Sequence, residues 1–388
     1  MQNLNEPILI IEIKANEIVF THGYMDDQLI FNNYDITILD NINFYGLLRT
    51  NSDDLKRIII NKIESIEKKL DFTFKKLILI FYNDSIVCAN VSTKKKLSGS
   101  KISKDDISFL INSAKTEILS KNKKLCHTFN LNFIIDKKNQ SNPPIGLNAD
   151  NLINHTSFCL IDNSIYEKIK NVFSQCNLDI EKIYLSNFIK GAKKIKKNEI
   201  INNFFYIEID KEYSQIYKFE NNSLRFSQYF NFGTKMILKD LSFILKISID
   251  ESLIILNNFF DNDGKESISF RNRNFKLDLI TKIITSRAEE LIQIIYKTNN
   301  NLLSIKKQNN FIYIELSKDF NNQKIHKIIK TIFSDQETLE FSKITQDELY
   351  NNSLIAMEIY SRGWDTEAIP VIVEKKSPIS RLFSYFFK

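Results

Sequence analysis

The segment Phe204–Phe226, FFYIEIDKEYSQIYKFENNSLRF, leaves few choices of fold. Phe205, Ile207 and Ile209 alternate with Tyr206, Glu208 and Asp210, the period of two that marks a β-strand. Ile216, Tyr217 and Phe219 read as a second strand that ends at a turn over Glu220, Asn221, Asn222 and Ser223, and Leu224 and Phe226 open a third. The chain begins with nearly the same text, ILIIEIKANEIVF over Ile8–Phe20, and returns to it more weakly as FIYIELSKDF over Phe311–Phe320. Strands that recur with an acidic residue and a turn at their ends predict two related halves facing each other across a cleft, with turns from both at its mouth.

A chain of 388 residues with 43% hydrophobic content can bury a large core and predicts two or more domains. The net charge is +6, and the lysine clusters Lys94 to Lys96, Lys121 to Lys124 and Lys193 to Lys197 sit among turn formers, which reads as solvated loops. No basic face interleaved with stacking aromatics is evident, which argues against a nucleic-acid partner. Cys88, Cys126, Cys159 and Cys176 are too widely spaced for a Cys-x-x-Cys ligand pair and too few for a disulfide scaffold, so a reducing compartment is expected. His22, His127, His155 and His326 make no ligand spacing, and no metal site is expected. The N-terminus, MQNLNEPILIIEIK, lacks a basic flank and interrupts its apolar run at Glu12, unlike a secretory signal. No apolar run approaches the ~20 residues of a spanning helix. The protein is expected to stay inside the cell.

Along the chain, Asp53 to Leu70 carries apolar residues at helical spacing and predicts a helix capped by Ser52 or Asp53. Lys75 to Val91 returns to strand periodicity, and Ser103 to Leu119 predicts a second helix with Ser103 and Asp106 as a capping box. Lys124 to Asp162 reads as strand, turn, a rigid Pro143-Pro144 corner with Gly146, a polar loop and a strand.

In this last segment Leu125, His127, Asp136, Pro144, Gly146, Leu147 and Leu152 resemble the pattern of the bacterial cell-division FtsA family, with Leu147 for the usual Met. The similarity extends over most of the chain. Gly233 and Asp240 stand where the family has its Gly-Gly-x-x-x-x-x-Asp-Ile segment, and Arg287 and Glu290 where it has Arg-x-x-Glu. The resemblance implies an α/β class: an actin-like ATPase fold of two lobes, each a mixed β-sheet flanked by helices, with an inserted 1C subdomain of the SHS2 kind. It divides the chain into 1–74, first lobe; 75–162, inserted subdomain; 163–201, first lobe again; 202–360, second lobe, with its outer part near 241–300; 361–376, linker; and 377–388, terminal helix. A lone His127 beside a strand reads as structural, and no catalytic residue is nominated.

The resemblance also implies ATP and Mg²⁺ in the cleft, beside Glu12, Lys14, Glu208, Asp210, Gly233 and Asp240. The family's phosphate turns are glycine-rich, because glycine lets backbone N–H groups reach a phosphate. Here they read Glu12-Ile13-Lys14-Ala15 and Glu208-Ile209-Asp210-Lys211-Glu212-Tyr213, the adenosine loop reads Ile314-Glu315-Leu316-Ser317, and Leu253 replaces a nucleotide-contacting Glu. A carboxylate at each strand end could still orient a Mg²⁺-bound water. Eight glycines in all leave no substitute phosphate loop, so ATP hydrolysis is not expected.

The last residues, SPISRLFSYFFK, start with Ser377 as N-cap and Pro378 at the first helical position. Ile379, Leu382, Phe383, Phe386 and Phe387 form one apolar stripe, while Arg381, Ser384 and Lys388 face away. This predicts an interfacial membrane anchor. By resemblance the chain would be an adaptor on the cytoplasmic face of the inner membrane at the division septum. It would hold the C-terminal peptide of FtsZ around Leu241 to Tyr296, with Arg287 and Glu290 as contacts, self-associate through its lobes and meet other division proteins. Alternatives are a PilM-like protein of pilus assembly and a small-molecule kinase of the same superfamily.

Overall fold

The computed structural model describes residues 6–368 apart from 15, 27, 29, 83, 120, 121, 199, 262–265, 307–309, 334–336 and 343–345, and apart from the side chains of 33, 34 and 346–351. β1 (Ile8–Ile13), β2 (Glu17–Met25) and β3 (Phe31–Asp40) form an antiparallel meander. α1 (Phe44–Thr50) and α2 (Ser52–Leu70) follow, and β4 (Lys76–Phe81) returns parallel to β1. α2 buries Leu55, Ile59, Ile63 and Ile66, one face of a helix. Its N-cap is Asn51 rather than Ser52 or Asp53. Asn51 also ends α1, so a single extended residue separates the two helices and α2 starts earlier than its apolar pattern does.

β5 (Val87–Lys96), α3 (Lys104–Ile118), β6 (Lys123–Ile135), β7 (Lys138–Gln140) and β8 (Asn151–Asp162) then build a separate antiparallel sheet of order β5-β8-β6-β7. α3 packs on it around Leu110, Ala114, Phe133, Leu152 and Phe158. Ser103 and Asp106 make the expected capping box. Lys95 and the Ser103 hydroxyl and amide hold the Asp106 carboxyl down at about 2. Asp136 has φ 45° and accepts from the amides of Asp150 and Asn151, and Gly146, at φ +86°, turns the proline corner. Sequence reasoning starts this unit at Lys75, but Lys76–Phe81 lies in the first-lobe sheet. An apolar run of that length, buried along five of its six residues, fits a two-sided parallel strand better than an edge of the insert.

The chain re-enters the first lobe through α4 (Asn163–Ser174) and β9 (Asp179–Leu185), completing the sheet β3-β2-β1-β4-β9. α5 (Ser186–Lys197) leads to β10 (Phe204–Ile209), β11 (Ser214–Glu220) and β12 (Ser223–Phe230). α6 (Lys235–Leu245), α7 (Ile249–Phe260), the hairpin β13 (Ser267–Phe270) and β14 (Arg273–Lys276), and α8 (Leu277–Ile292) form the outer part of the second lobe. β15 (Phe311–Leu316), α9 (Gln323–Ile332) and β16 (Thr338–Ser342) close it, and α10 (Gln346–Arg362) returns to pack on α5 and β3, so the second lobe expected over 202–360 ends before this helix.

The second sheet has the order β12-β11-β10-β15-β16, the same plan as the first. The similar texts at Ile8 and Phe204 are thus the central strands of equivalent sheets. The third echo, β15, is the parallel neighbour of β10, as β4 is of β1.

The lysine clusters differ from the solvated loops expected. Lys94 to Lys96 end β5, Lys123 and Lys124 open β6, and Lys193 to Lys197 form the last turn of α5, where Lys194 is buried. A lysine stem can cover apolar surface while its amine finds a partner, so local composition misreads it. The linker expected over 361–376 is also packed at its start. β7 covers β6 only at Phe133 to Ile135, and Asn130 N–H and Ala368 N–H bond Thr366 O and Thr128 O across the open edge at 2.9 and 2.8 Å. Trp364 donates to Asn222 O at 2.8 Å and packs edge-on to Phe188. The remaining linker and the helix expected over 377–388, with Ile379, Arg381, Leu382, Phe383, Phe386, Phe387 and Lys388, lie outside the described residues.

Candidate functional site: the cleft between the lobes

Alternation along β10 sends its residues to two different cores. Phe205, Ile207 and Ile209 join the core under α6, α7 and α8. Phe204 and Tyr206 join Tyr217, Phe219 and Tyr313 on the opposite face, in one apolar cluster with α5, α10 and the first-lobe sheet. Glu208 and Glu315 lie on that inner face and are direct register partners across β10 and β15. Two carboxylates so placed repel unless something positive lies over them.

Lys190 of α5 supplies it, with Nζ 2.7 Å from Glu208 Oε2 and 2.9 Å from Glu315 Oε1. Tyr213 donates to Glu208 Oε1 at 2.9 Å, and Tyr206 donates to Glu315 Oε2. Burial opposes charge on Lys190, but the two glutamates outweigh it and hold the amine well above its usual value. Burial lifts the Glu208 carboxyl above the ordinary range against the pull of Lys190. On Glu315 burial acts in the same sense, yet Lys190 and the Tyr206 hydroxyl prevail and keep it low. Of the two carboxylates, Glu208 is therefore the one that takes up a proton first as pH falls.

In front of the trio lies a cavity of about 660 Å³, lined by Lys14, Asn16 and Asp40 of the first lobe and Glu208, Asp210 and Lys318 of the second. The residues expected at a nucleotide site divide as follows. Lys14 lines the cavity and pairs with Glu17 across the β1–β2 turn. Glu12 is fully buried and accepts from Asn352 of α10 at 2.9 Å, while its Oε2 has no partner among the described residues. Asp210 lines the cavity, but its carboxylate accepts from the next amide, Lys211 N–H, at 2.7 Å.

Gly233 lies behind that turn, where a Cβ would come within 2.1 Å of Asp210 O. Asp240 is two turns further along α6 and binds Arg287 of α8 at 2.5 and 3.1 Å, while Arg287 also pairs with Glu290 at 2.7 Å. Its placement with the nucleotide residues is thus corrected: a residue roughly 10 Å along the helix from Gly233 belongs to the α6–α8 contact. Leu253 packs partly buried in that outer core.

These residues do not fit Mg²⁺-ATP. The amides of Thr234 and Lys235, at the start of α6, are bonded to Asp210 O and Lys211 O at 2.8 and 2.9 Å. Ser317 N–H in the adenosine loop is bonded to Ile209 O at 2.8 Å. The donors that would meet a phosphate close the turns on themselves, and an ammonium occupies the space between the carboxylates. His127 has a structural setting: Leu185 N–H donates to its Nε2 at 3.1 Å, and its Nδ1 lies 2.7 Å from Glu367 Oε1.

Sequence reasoning missed Lys190 and Asn352. A signal existed, because Glu12, Glu208 and Glu315 occupy the same place in three echoing strands, and a buried acid requires a partner.

Comparison with known proteins agrees with this architecture. The family described as "SHS2 domain inserted in FTSA" matches residues 84–156, from just before β5 to midway along β8. Cell division protein FtsA of Buchnera aphidicola subsp. Schizaphis graminum is 20% identical over 234 residues, 58% of this chain and 55% of that protein. FtsA of Helicobacter pylori is 23% identical over 167 residues, 42% and 33% of the two chains. The match thus spans about half the length of the first of these relatives. Among solved structures, the PilM–PilN type IV pilus biogenesis complex superimposes with a TM-score of 0.54 at 8% identity, covering 92% of this chain and 98% of that one, a likeness of fold. Duplicated lobes, an insert after the fourth strand and these relatives agree: the chain is a divergent FtsA-like protein of the actin-like fold.

Proposed function

We propose that the protein is a membrane adaptor of bacterial division, which tethers FtsZ to the cytoplasmic face of the inner membrane at the septum and self-associates through its lobes. The observation that carries this reading is the position of the insert, between β4 and α4 of the first lobe, over the residues that match the FtsA insertion. The apolar stripe from Ile379 to Phe387 supplies the membrane contact. One such anchor is weak, since each side chain contributes at most about 1.5–3 kcal/mol when fully buried. Many anchors on one polymer bind together through effective concentration.

For the FtsZ peptide, the outer helices of the second lobe offer Phe243, 85% exposed, with Ile244 and Ile254. Arg287, bound to both Glu290 and Asp240, shapes that surface. Liposome co-sedimentation tests the adaptor role: FtsZ is expected to pellet with vesicles only when this protein is added. Pelleting that is unchanged by the protein overturns the proposal.

The same reading needs no hydrolysis. Purified protein is expected to release no phosphate from ATP at steady state, because the turn amides and the carboxylates are already engaged. Turnover that disappears in Glu208→Ala is the opposing result.

A further inference from the structure

We propose that Lys190 is a built-in cation standing where a metal ion would otherwise balance the cleft carboxylates, and that it locks the two lobes together without nucleotide or divalent ion. This goes beyond the adaptor role and does not depend on it. All four carboxylate oxygens of Glu208 and Glu315 are engaged, two by Lys190 and one each by Tyr213 and Tyr206. A Mg²⁺ ion, with ligands near 2.1 Å and a demand for octahedral geometry, could enter only by expelling the ammonium.

The lysine also spans two bodies. α5 follows β9 of the first-lobe sheet and packs Phe188, Ile189 and Ala192 in the apolar cluster that both lobes share, whereas Glu208 and Glu315 belong to the second-lobe sheet. Two more polar ties run from the same helix. Asn187 donates to Ser227 Oγ at 3.1 Å and Lys194 to Ser342 Oγ at 2.6 Å. Positions 187, 190 and 194 are spaced three and four apart, one stripe of a helix aimed at the second lobe. Opening the lobes would break a buried ion pair and strand two carboxylates beside each other, which is expensive in a low-dielectric setting. In a metal-dependent cleft the closing charge comes and goes with the ligand; here it is covalently part of the chain.

Thermal unfolding tests the inference on the full-length protein. The wild-type melting temperature is expected to be the same in EDTA, in Mg²⁺ and in Mg²⁺-ATP. Lys190→Met should melt lower in EDTA, by about 5 °C or more for a broken buried pair in a chain of this size. Mn²⁺, which can now sit between the two carboxylates, should restore part of the loss. Lys190→Met with Glu208→Gln should recover without metal, since one unpaired charge has been removed. A wild-type protein stabilised by Mg²⁺ or Mg²⁺-ATP, or a Lys190→Met protein as stable as wild type, overturns the proposal. If Lys190→Met does not fold, hydrogen exchange of α5 in the wild type decides: equal protection with and without Mg²⁺-ATP supports the built-in cation, and added protection overturns it. Vesicle recruitment of FtsZ is a separate readout, so failure of either proposal is visible without the other.

Discussion

Protein ending at Lys376 is expected to lose its co-sedimentation with anionic liposomes, and Phe383→Glu or Phe386→Glu in the full chain to lose most of it. The effect is large because the stripe of Ile379, Leu382, Phe383, Phe386 and Phe387 acts as a unit. A carboxylate in its centre must keep its water, so the helix expected from the sequence could no longer bury that face. Ser384→Glu lies on the polar side and should weaken binding only through charge. Arg381 and Lys388 are each expected to add an attraction to anionic lipid of about 1 kcal/mol, which salt screens, so raising salt should loosen binding without abolishing it. Equal pelleting of the truncated and full-length proteins would mean that the stripe packs on the protein body, and the tether would have to be withdrawn.

Gly191→Ala is expected to destabilise the whole protein, against the usual preference of helices for alanine. The substitution gains about 1 kcal/mol in helix propensity. It also places a methyl group 2.0 Å from Cζ and 2.1 Å from Cε2 of Phe219. That ring cannot yield cheaply, because Phe219 is fully buried and stacked on Phe204 with centroids 5.0 Å apart. Overpacking of this kind costs about 1–3 kcal/mol or more and forces α5 away from the second-lobe sheet. The clash therefore outweighs the propensity gain, and the denaturation midpoint should fall. Phe219→Leu in the same chain should recover part of the loss by making room. A neutral Gly191→Ala would show that α5 does not approach β11 as closely as described.

The two-lobed plan was legible because a strand text that recurs constrains more than any single strand does. Ile11-Glu12-Ile13 and Ile207-Glu208-Ile209 mark the central strands of the two sheets, and the capping box at Ser103 and Asp106 was readable from local chemistry alone. The site was harder to read. The absence of glycine from the two turns is visible in the text, but what lies between the carboxylates is not: Lys190 reaches carboxylates 18 and 125 residues away in the chain. The lysine-rich tract beside it looks solvent-facing in the sequence, since composition carries no information about which amine meets a buried acid. Asp240 was misplaced for a related reason. A motif gives the order of residues, whereas the turns of α6 between Gly233 and Asp240 decide what each one faces.

The edge-strand contact of Thr366 to Ala368 on β6 fixes the last described residues on the inserted sheet. From Ala368 to Ser377 the backbone has nine steps, a leash that reaches at most roughly 30 Å when fully extended. With the terminal stripe in a bilayer, Ala368 could stand no further than that from the surface, and Ala368 lies on the inserted sheet, against β6. The insert would then be the membrane-proximal side. Neighbouring copies on one filament would share a single orientation toward the lipid, set by the short leash and not by the anchor itself.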